Sequence, residues 1–221
     1  MKLLACPKCH QQLHLENKTL KCENNHCYDI SKRGYINLLL NPDKATNNPG
    51  DSKESLVARK AYLNKGYYDP ILNQVITCID EFKHQDDLSI LDLGCGEGYY
   101  TQGLKKHFEN SDIYGLDISK IAIDMATRYR KDVTWLVGNS KNIPILDHSL
   151  DFICALFTVV NQDELKRALK EDGYIVHVTA NNQHLIEIKE LIYDEIKVKS
   201  DKYIRCLLYT SPSPRDSTSS R

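Results

Sequence analysis

No stretch of this 221-residue chain approaches the ~18 consecutive apolar residues that a membrane-crossing helix requires. The opening "MKLLACPKCH" lacks both the extended apolar core and the small-residue cleavage site of a secretory signal. Strong net charge is missing too: 29 Lys and Arg stand against 30 Asp and Glu. These absences argue against a membrane protein, a secreted protein and a chain held to nucleic acid by bulk charge. They predict a cytoplasmic globular protein, long enough for one full domain and a small one. Internal repeats are absent as well.

The near-zero charge hides an asymmetry. Residues 1–70 carry 11 Lys and Arg against 7 acids, and the remaining 151 carry 18 against 23. The front end is therefore mildly positive, which is compatible with nucleic acid, but charge alone favours the plainer reading of solvated lysines.

Cysteine is not scarce, and its placement is informative. Four of the eight fall at Cys6, Cys9, Cys22 and Cys27, while Cys78, Cys95, Cys154 and Cys206 are scattered. In a chain with no secretory signal, such clustering predicts a metal site and not a disulfide framework. Cys6, Cys9, Cys22 and His26 read C-x2-C-x12-C-x3-H, two short-spaced pairs that can close a zinc tetrahedron without a large core. Cys27, beside His26, offers an all-cysteine alternative. Either set is closed to substrate, so the expected role of the zinc is structural.

The chain divides into three parts and a tail. Residues 1–37 form the zinc module; residues 38–54, "LLLNPDKATNNPGDSKE", have a linker composition. From residue 55, two helices ("SLVARKAYLN" and "PILNQVITCIDEFKH") precede an alternation of strands and helices. The strands are "LSILDL", "DIYGLD", "VTWLVG", "SLDFICALF" and "YIVHVTA". The helices between and after them are "YTQGLKKHF", "SKIAIDMATRYR" (capped by Ser119), "QDELKRAL" and "HLIEIKELIYDEI". Apolar strands in this alternation predict an α/β, doubly wound parallel sheet covered on both faces. Residues 206–221 change character: five of the last eleven are serine and two proline. They are expected to be a disordered, non-native tail resembling translated adapter or vector sequence, with native sequence ending near residue 205.

The segment "ILDLGCGEGYY" carries the chemistry. Gly94, Gly96 and Gly98 follow a strand and open a helix, so bare backbone can approach a nucleoside-bearing ligand. Asp117 ends the next strand, where a carboxylate can take both hydroxyls of a ribose. Two features separate the candidate cofactors. The third glycine comes one residue earlier than in the dinucleotide fingerprint, and Asp92 under the loop would repel a pyrophosphate but suits a sulfonium and an ammonium. The loop therefore predicts S-adenosylmethionine, and Cys95 within it is expected to be a packing residue.

Together, the zinc pattern, "GYINLLL", "NPGDSKESLVARKAYLNKGYYDPI", "ILDLGCGEGYYTQGL" and "YGLDISKIAI" resemble the 23S rRNA guanine-N1 methyltransferases, over about residues 5–196. The resemblance implies an N-terminal zinc module followed by a Rossmann-like class I methyltransferase domain, and 23S rRNA as substrate. It implies Cys6, Cys9, Cys22 and His26 as zinc ligands, and Gly96 and Glu97 as cofactor contacts. It also nominates Tyr68 and His184, which on their own read as a packing aromatic and a helix N-terminal residue. Arg59 and Lys60 are candidate phosphate contacts, or equally part of an exposed helical face. Two departures stand out. Residues 156–165, "LFTVVNQDEL", lack the family's proline beside the substrate base, and a native end near residue 205 would omit the last two strands of the sheet. A small-molecule methyltransferase, or a non-catalytic zinc-dependent RNA-binding protein, is the rival reading.

Overall fold

The computed structural model describes residues 1–40 and 50–180. The front end holds a three-stranded antiparallel sheet, β1 (His14–Glu16), β2 (Thr19–Lys21) and β3 (Cys27–Asp29). A two-residue strand, β4 (Ile36–Asn37), then leaves this unit and joins the main sheet. Helices α1 (Lys53–Leu63) and α2 (Asp69–Phe82) follow, with α1 starting inside the expected linker because Ser52 accepts the Ser55 N–H and caps it there.

The main sheet adds β5 (Ser89–Leu93), β6 (Asp112–Asp117), β7 (Thr134–Val137), β8 (Leu150–Leu156) and β9 (Leu169–Val178). Its order is β4-β7-β6-β5-β8-β9, and all neighbouring pairs are parallel. The order reverses at β5, so a crevice opens at the carboxyl ends of β5 and β8, where doubly wound sheets bind ligands. The connecting helices are α3 (Tyr99–His107), α4 (Lys120–Ala126) and α5 (Gln162–Ala168).

Two cores lie on opposite faces of the sheet. On one, Val75 and Ile79 of α2, Leu104 of α3 and Ile123 of α4 pack on Ile90, Ile113 and Phe152. On the other, Leu91, Leu93, Leu116 and Leu136 meet α5 and, more extensively, Leu4, Cys6, Leu13, Leu20 and Cys22 of the front end. The metal-ligand module thus serves as one covering layer of the parallel sheet. Backbone bonds reinforce the docking: Ala5 N–H to the Pro144 carbonyl at 3.0 Å and Leu146 N–H to the Leu3 carbonyl at 2.9 Å.

Three details depart from expectation. α4 stops at Ala126, where Thr127 caps it and a turn returns the Tyr129 N–H to the Ala126 carbonyl. The last described strand starts earlier than the expected "YIVHVTA": β9 begins at Leu169 with an irregularity in its register, where Leu150 pairs with Leu169 and Phe152 with Tyr174, so the chain leaves α5 directly into the strand. Among the described residues, the cover on the second face of the sheet comes largely from the zinc module, with α5 beside it. The expected final helix, the expected omission of the last two strands and the expected tail all concern residues 181–221, which lie outside those described, and so does most of the linker.

Candidate functional site

Two tight turns build the metal cluster. The His10 N–H returns to the Cys6 carbonyl at 2.8 Å and the Asn25 N–H to the Cys22 carbonyl at 2.9 Å, with His10 and Asn25 both at positive φ. The ligand atoms of Cys6, Cys9, Cys22 and His26 then lie within 4.8 Å of one another. His26 Nδ1 sits 3.4 Å from the Cys6 sulfur and 3.5 Å from those of Cys9 and Cys22, and Cys9 and Cys22 are 3.7 Å apart. Zinc with bonds of about 2.3 Å to sulfur and 2.0 Å to nitrogen spans tetrahedral edges of about 3.8 and 3.5 Å. The donor set therefore fits that ion, with no position left for substrate. Cys27 faces outward, its thiol donating to the Asn25 carbonyl at 3.4 Å, so the geometry favours His26 over the all-cysteine set. The pattern search missed Tyr28, whose hydroxyl lies 3.3 Å from the Cys6 sulfur and can donate to a thiolate. Only strand pairing brings it there, through Tyr28 opposite Leu20.

The second constellation sits at the carboxyl end of β5. The Gly94 and Cys95 N–H groups both return to the Leu116 carbonyl, bending the chain off the strand. A side chain on Gly94 would collide with Thr158, and one on Gly98 (φ +85°) would meet the Trp135 ring at 2.6 Å. Gly96 differs: at φ +57° its missing side chain faces open space, leaving backbone exposed to a ligand.

Three carboxyl groups surround this turn. Asp92 is buried, accepts the Thr101 hydroxyl at 2.5 Å, and is lifted by burial to about 7. Glu97 is only 3% exposed, and its Oε1 has no hydrogen-bond partner among the described residues. Burial raises it, while Arg59 and Lys60 act in the opposite sense. Asp117 is also raised by burial; its two oxygens accept the Gly96 N–H at 2.9 Å and the Ser119 N–H at 2.8 Å. The carboxylate expected to hold a ribose therefore also fastens the glycine loop, and its remaining lone pairs stay available. Tyr100, which sequence reasoning passed over, has a buried hydroxyl without a partner among the described residues, close to Tyr68, Asp92 and Glu97. A cluster of acids with orphaned polar atoms fits a cofactor bearing a sulfonium and an ammonium, and disfavours a pyrophosphate.

Tyr68 begins α2 and meets Phe157 edge-on, with ring centroids 6.1 Å apart, so it lies across the same crevice. Arg59 and Lys60 are already engaged: Arg59 pairs with Asp51 at 2.5 Å, and the Lys60 ammonium lies 3.2 Å from the centre of the Tyr129 ring. Cys95 is buried and its thiol pushed well up, which suits packing and not nucleophilic attack. His184 lies outside the described residues.

The segments that carry these two constellations match known protein families. The family model "RlmA, N-terminal", a zinc ribbon, matches residues 4–45, and "Methyltransferase domain" matches residues 90–173. YxjB of Bacillus subtilis, assigned as a 23S rRNA (guanine-N(1)-)-methyltransferase, is 30% identical over 200 residues, covering 87% of this chain and 70% of that protein. The 23S rRNA (guanine(748)-N(1))-methyltransferase of Streptomyces fradiae is 28% identical over 194 residues, covering 87% and 68%. Among solved structures, the plantazolicin methyltransferase BpumL in complex with a substrate analogue and SAH superposes with a TM-score of 0.51 at 20% identity, over 66% of this chain and 60% of that one, and so shares the fold. An acidic glycine loop at the switch point of a class I methyltransferase sheet, with a zinc ribbon built into its core, thus places this chain in the 23S rRNA (guanine-N1)-methyltransferase family.

Proposed function

We propose that this chain transfers a methyl group from S-adenosylmethionine to N1 of a guanine in 23S rRNA, as a cytoplasmic enzyme. In this reading residues 1–37 form the zinc-binding module, 38–54 the linker and 55–205 the methyltransferase domain. One observation carries it: the four-ligand cluster and the acidic glycine loop are built on one core, in a chain similar to a 23S rRNA (guanine-N1)-methyltransferase over most of its length.

S-adenosylmethionine, when bound, supplies a methyl group activated by its positive sulfur. Asp92 and Glu97 would offset the positive groups of the cofactor, with Thr101 holding Asp92 in place. Gly94, Gly96 and Gly98 let the backbone approach the nucleoside, and Asp117 orients the ribose from the end of β6. Tyr68 and His184 complete the cofactor set. With the cofactor bound, the guanine N1 would take the methyl group, S-adenosylhomocysteine would leave as the neutral thioether, and the N1 proton would pass to solvent. Because the methyl group is already activated, alignment and exclusion of water supply most of the protein's contribution. Cys6, Cys9, Cys22 and His26 take no part in the transfer; zinc held there fixes the front layer of the sheet.

Incubation with radiolabelled S-adenosylmethionine and unmodified 23S rRNA tests this. N1 methylation blocks base pairing, so label in guanine with a reverse-transcription stop at one position is expected. Label confined to small metabolites would establish the small-molecule reading instead. RNA binding without transfer would leave a non-catalytic zinc-dependent RNA-binding protein.

A further inference from the structure

Two residues of the cofactor constellation are each followed by a neighbour that reaches for the other. Tyr68 precedes Asp69, the first residue of α2, and Gly98 precedes Tyr99, the first residue of α3. The Tyr99 hydroxyl donates to Asp69 Oδ1. The second carboxylate oxygen of Asp69 lies over Gly66 (φ +80°), where an added side chain would meet it at 2.8 Å. One carboxylate thus ties the turn that delivers Tyr68 to the helix that the glycine loop opens.

The rest of that turn is held at the surface. The Asp69 N–H returns to the Gly66 carbonyl at 3.0 Å, and the rings of Tyr62 and Tyr67, 50% and 61% exposed, touch with centroids 5.1 Å apart. The two helices do not depend on the Asp69–Tyr99 bond to stay together. Farther along, Leu72 fills the space that Gly103 leaves bare, and Val75, Ile79 and Leu104 share one core. A hydrogen bond at the exposed ends of two helices adds little to a contact already secured by apolar burial. What it does fix is the ring one residue earlier. Tyr68 is close to the buried Tyr100 hydroxyl, and the Tyr100 ring meets that of Tyr99 edge-on, with centroids 5.0 Å apart. Burial, and then the Asp69 carboxylate, hold the Tyr99 hydroxyl well above the usual phenol range, so it stays protonated and donating.

We propose that Asp69 and Tyr99 are positioning residues for cofactor binding, whose hydrogen bond sets Tyr68 against the glycine loop before S-adenosylmethionine arrives. This rests on the methyltransferase reading, with Tyr68 as a cofactor contact. Asp69 and Tyr99 act through Tyr68 and do not touch the cofactor themselves. A ring already in place costs the cofactor no ordering on binding, so loss of the clasp lowers affinity without removing a contact.

Titration of the full chain with S-adenosylmethionine in a calorimeter tests this. Tyr99→Phe removes the donor but keeps the Asp69 charge at the start of α2, so the helix dipole is served as before. It should weaken cofactor binding about five- to tenfold, with the thermal midpoint within a few degrees of wild type. Asp69→Ala should do the same. Asp69→Asn, whose amide oxygen still accepts the hydroxyl, should restore affinity to within about twofold of wild type. In a Tyr68→Leu background Tyr99→Phe should cost less than about twofold, because the ring through which it acts is gone. Amide hydrogen exchange reads the clasp without the cofactor. Tyr99→Phe should speed exchange at Ile71 and Leu72, whose N–H groups return to the Tyr68 carbonyl at 3.1 Å, and leave Lys83 at the far end of α2 unchanged. Unchanged affinity in Tyr99→Phe, equal weakening with and without the Tyr68 ring, or unchanged exchange at Ile71 and Leu72 would each overturn the proposal. A wild-type chain that binds no S-adenosylmethionine would instead sink the methyltransferase reading, and the clasp's role would fall with it.

Discussion

Asp92 shows how a single carboxyl group can set the terms of cofactor binding. Burial lifts it to about 7, so it is largely neutral at pH 6 and ionised at pH 8. A cationic ligand binds the ionised form, so affinity for S-adenosylmethionine should rise between pH 6 and pH 8 and level off above, as calorimetry at several pH values would show. The ligand-free protein should respond in the opposite direction. A carboxyl whose folded value is raised favours folding while protonated, fully below about 4, and that contribution fades as pH climbs through about 7. Asp92→Asn keeps the shape but removes the charge; it should weaken cofactor binding by about tenfold or more and flatten both pH dependences. Tyr100→Phe removes a buried hydroxyl that has no partner among the described residues. No hydrogen bond among the described residues is lost by that change, so the thermal midpoint should hold or rise while cofactor affinity falls by about 1–1.5 kcal/mol. A lowered midpoint with unchanged affinity would mean that the hydroxyl serves folding alone. Gly98→Ala should destabilise by about 2–4 kcal/mol in denaturant titration, because it adds strain at φ +85° to a collision with Trp135.

At the level of elements, α5 shows how a short helix can be made dependable. Asn161 accepts the N–H groups of Asp163 and Glu164, acids occupy the first turn, and Lys166 and Arg167 occupy the last. Arg167 then reaches off the helix to the loop between β7 and β8. It donates to the carbonyls of Ile143 and Ile145 at 2.7 and 2.8 Å and pairs with Glu164 and Asp147. That loop carries Pro144 and Leu146, on which the front end docks, and Asn142, whose amide donates to the Pro7 carbonyl. One side chain therefore braces the contact between the zinc module and the sheet. Arg167→Ala should cost about 2–3 kcal/mol, since it strands two carbonyls and a half-buried Glu164. It should also speed proteolysis of the front end relative to wild type. A purely local helix defect would cost less and leave that region protected.

For the molecule as a whole, the shared core couples the metal to the cofactor site. Cys6 and Cys22 belong to the same apolar cluster as Leu91 and Leu93, and Leu93 directly precedes Gly94. Removal of zinc leaves three thiols and an imidazole crowded together in a layer that the sheet needs as cover. Chelation should therefore abolish cofactor binding as well as front-end structure, in a single transition by near-ultraviolet circular dichroism and calorimetry. Survival of cofactor binding after complete metal removal would show that the two parts fold independently.

Much of this was legible in the chain itself, because the relevant signals are local. The ligand spacing at Cys6, Cys9, Cys22 and His26 follows from two tight turns. The alternation of strands and helices follows from apolar runs, and the acidic glycine loop from adjacent residues at 92–98. Local spacing left His26 and Cys27 open, since neighbours in sequence can both reach a metal; the turn from Cys22 to Asn25 brings His26 to the cluster, while Cys27 opens β3 facing outward. Other features depended on contacts between residues far apart in sequence. Tyr28 meets Cys6 across a sheet, Tyr68 meets Phe157 across the crevice, and Asp117 fastens Gly96 from the neighbouring strand. The zinc module, legible as a separate unit, became one layer of the main sheet because its own strands are too short to bury its leucines alone. The amino-acid sequence determined the elements and the chemistry they carry; only the tertiary structure decided which face each element covers, because apolar surface and buried polar groups are satisfied by whatever partner the whole fold brings near.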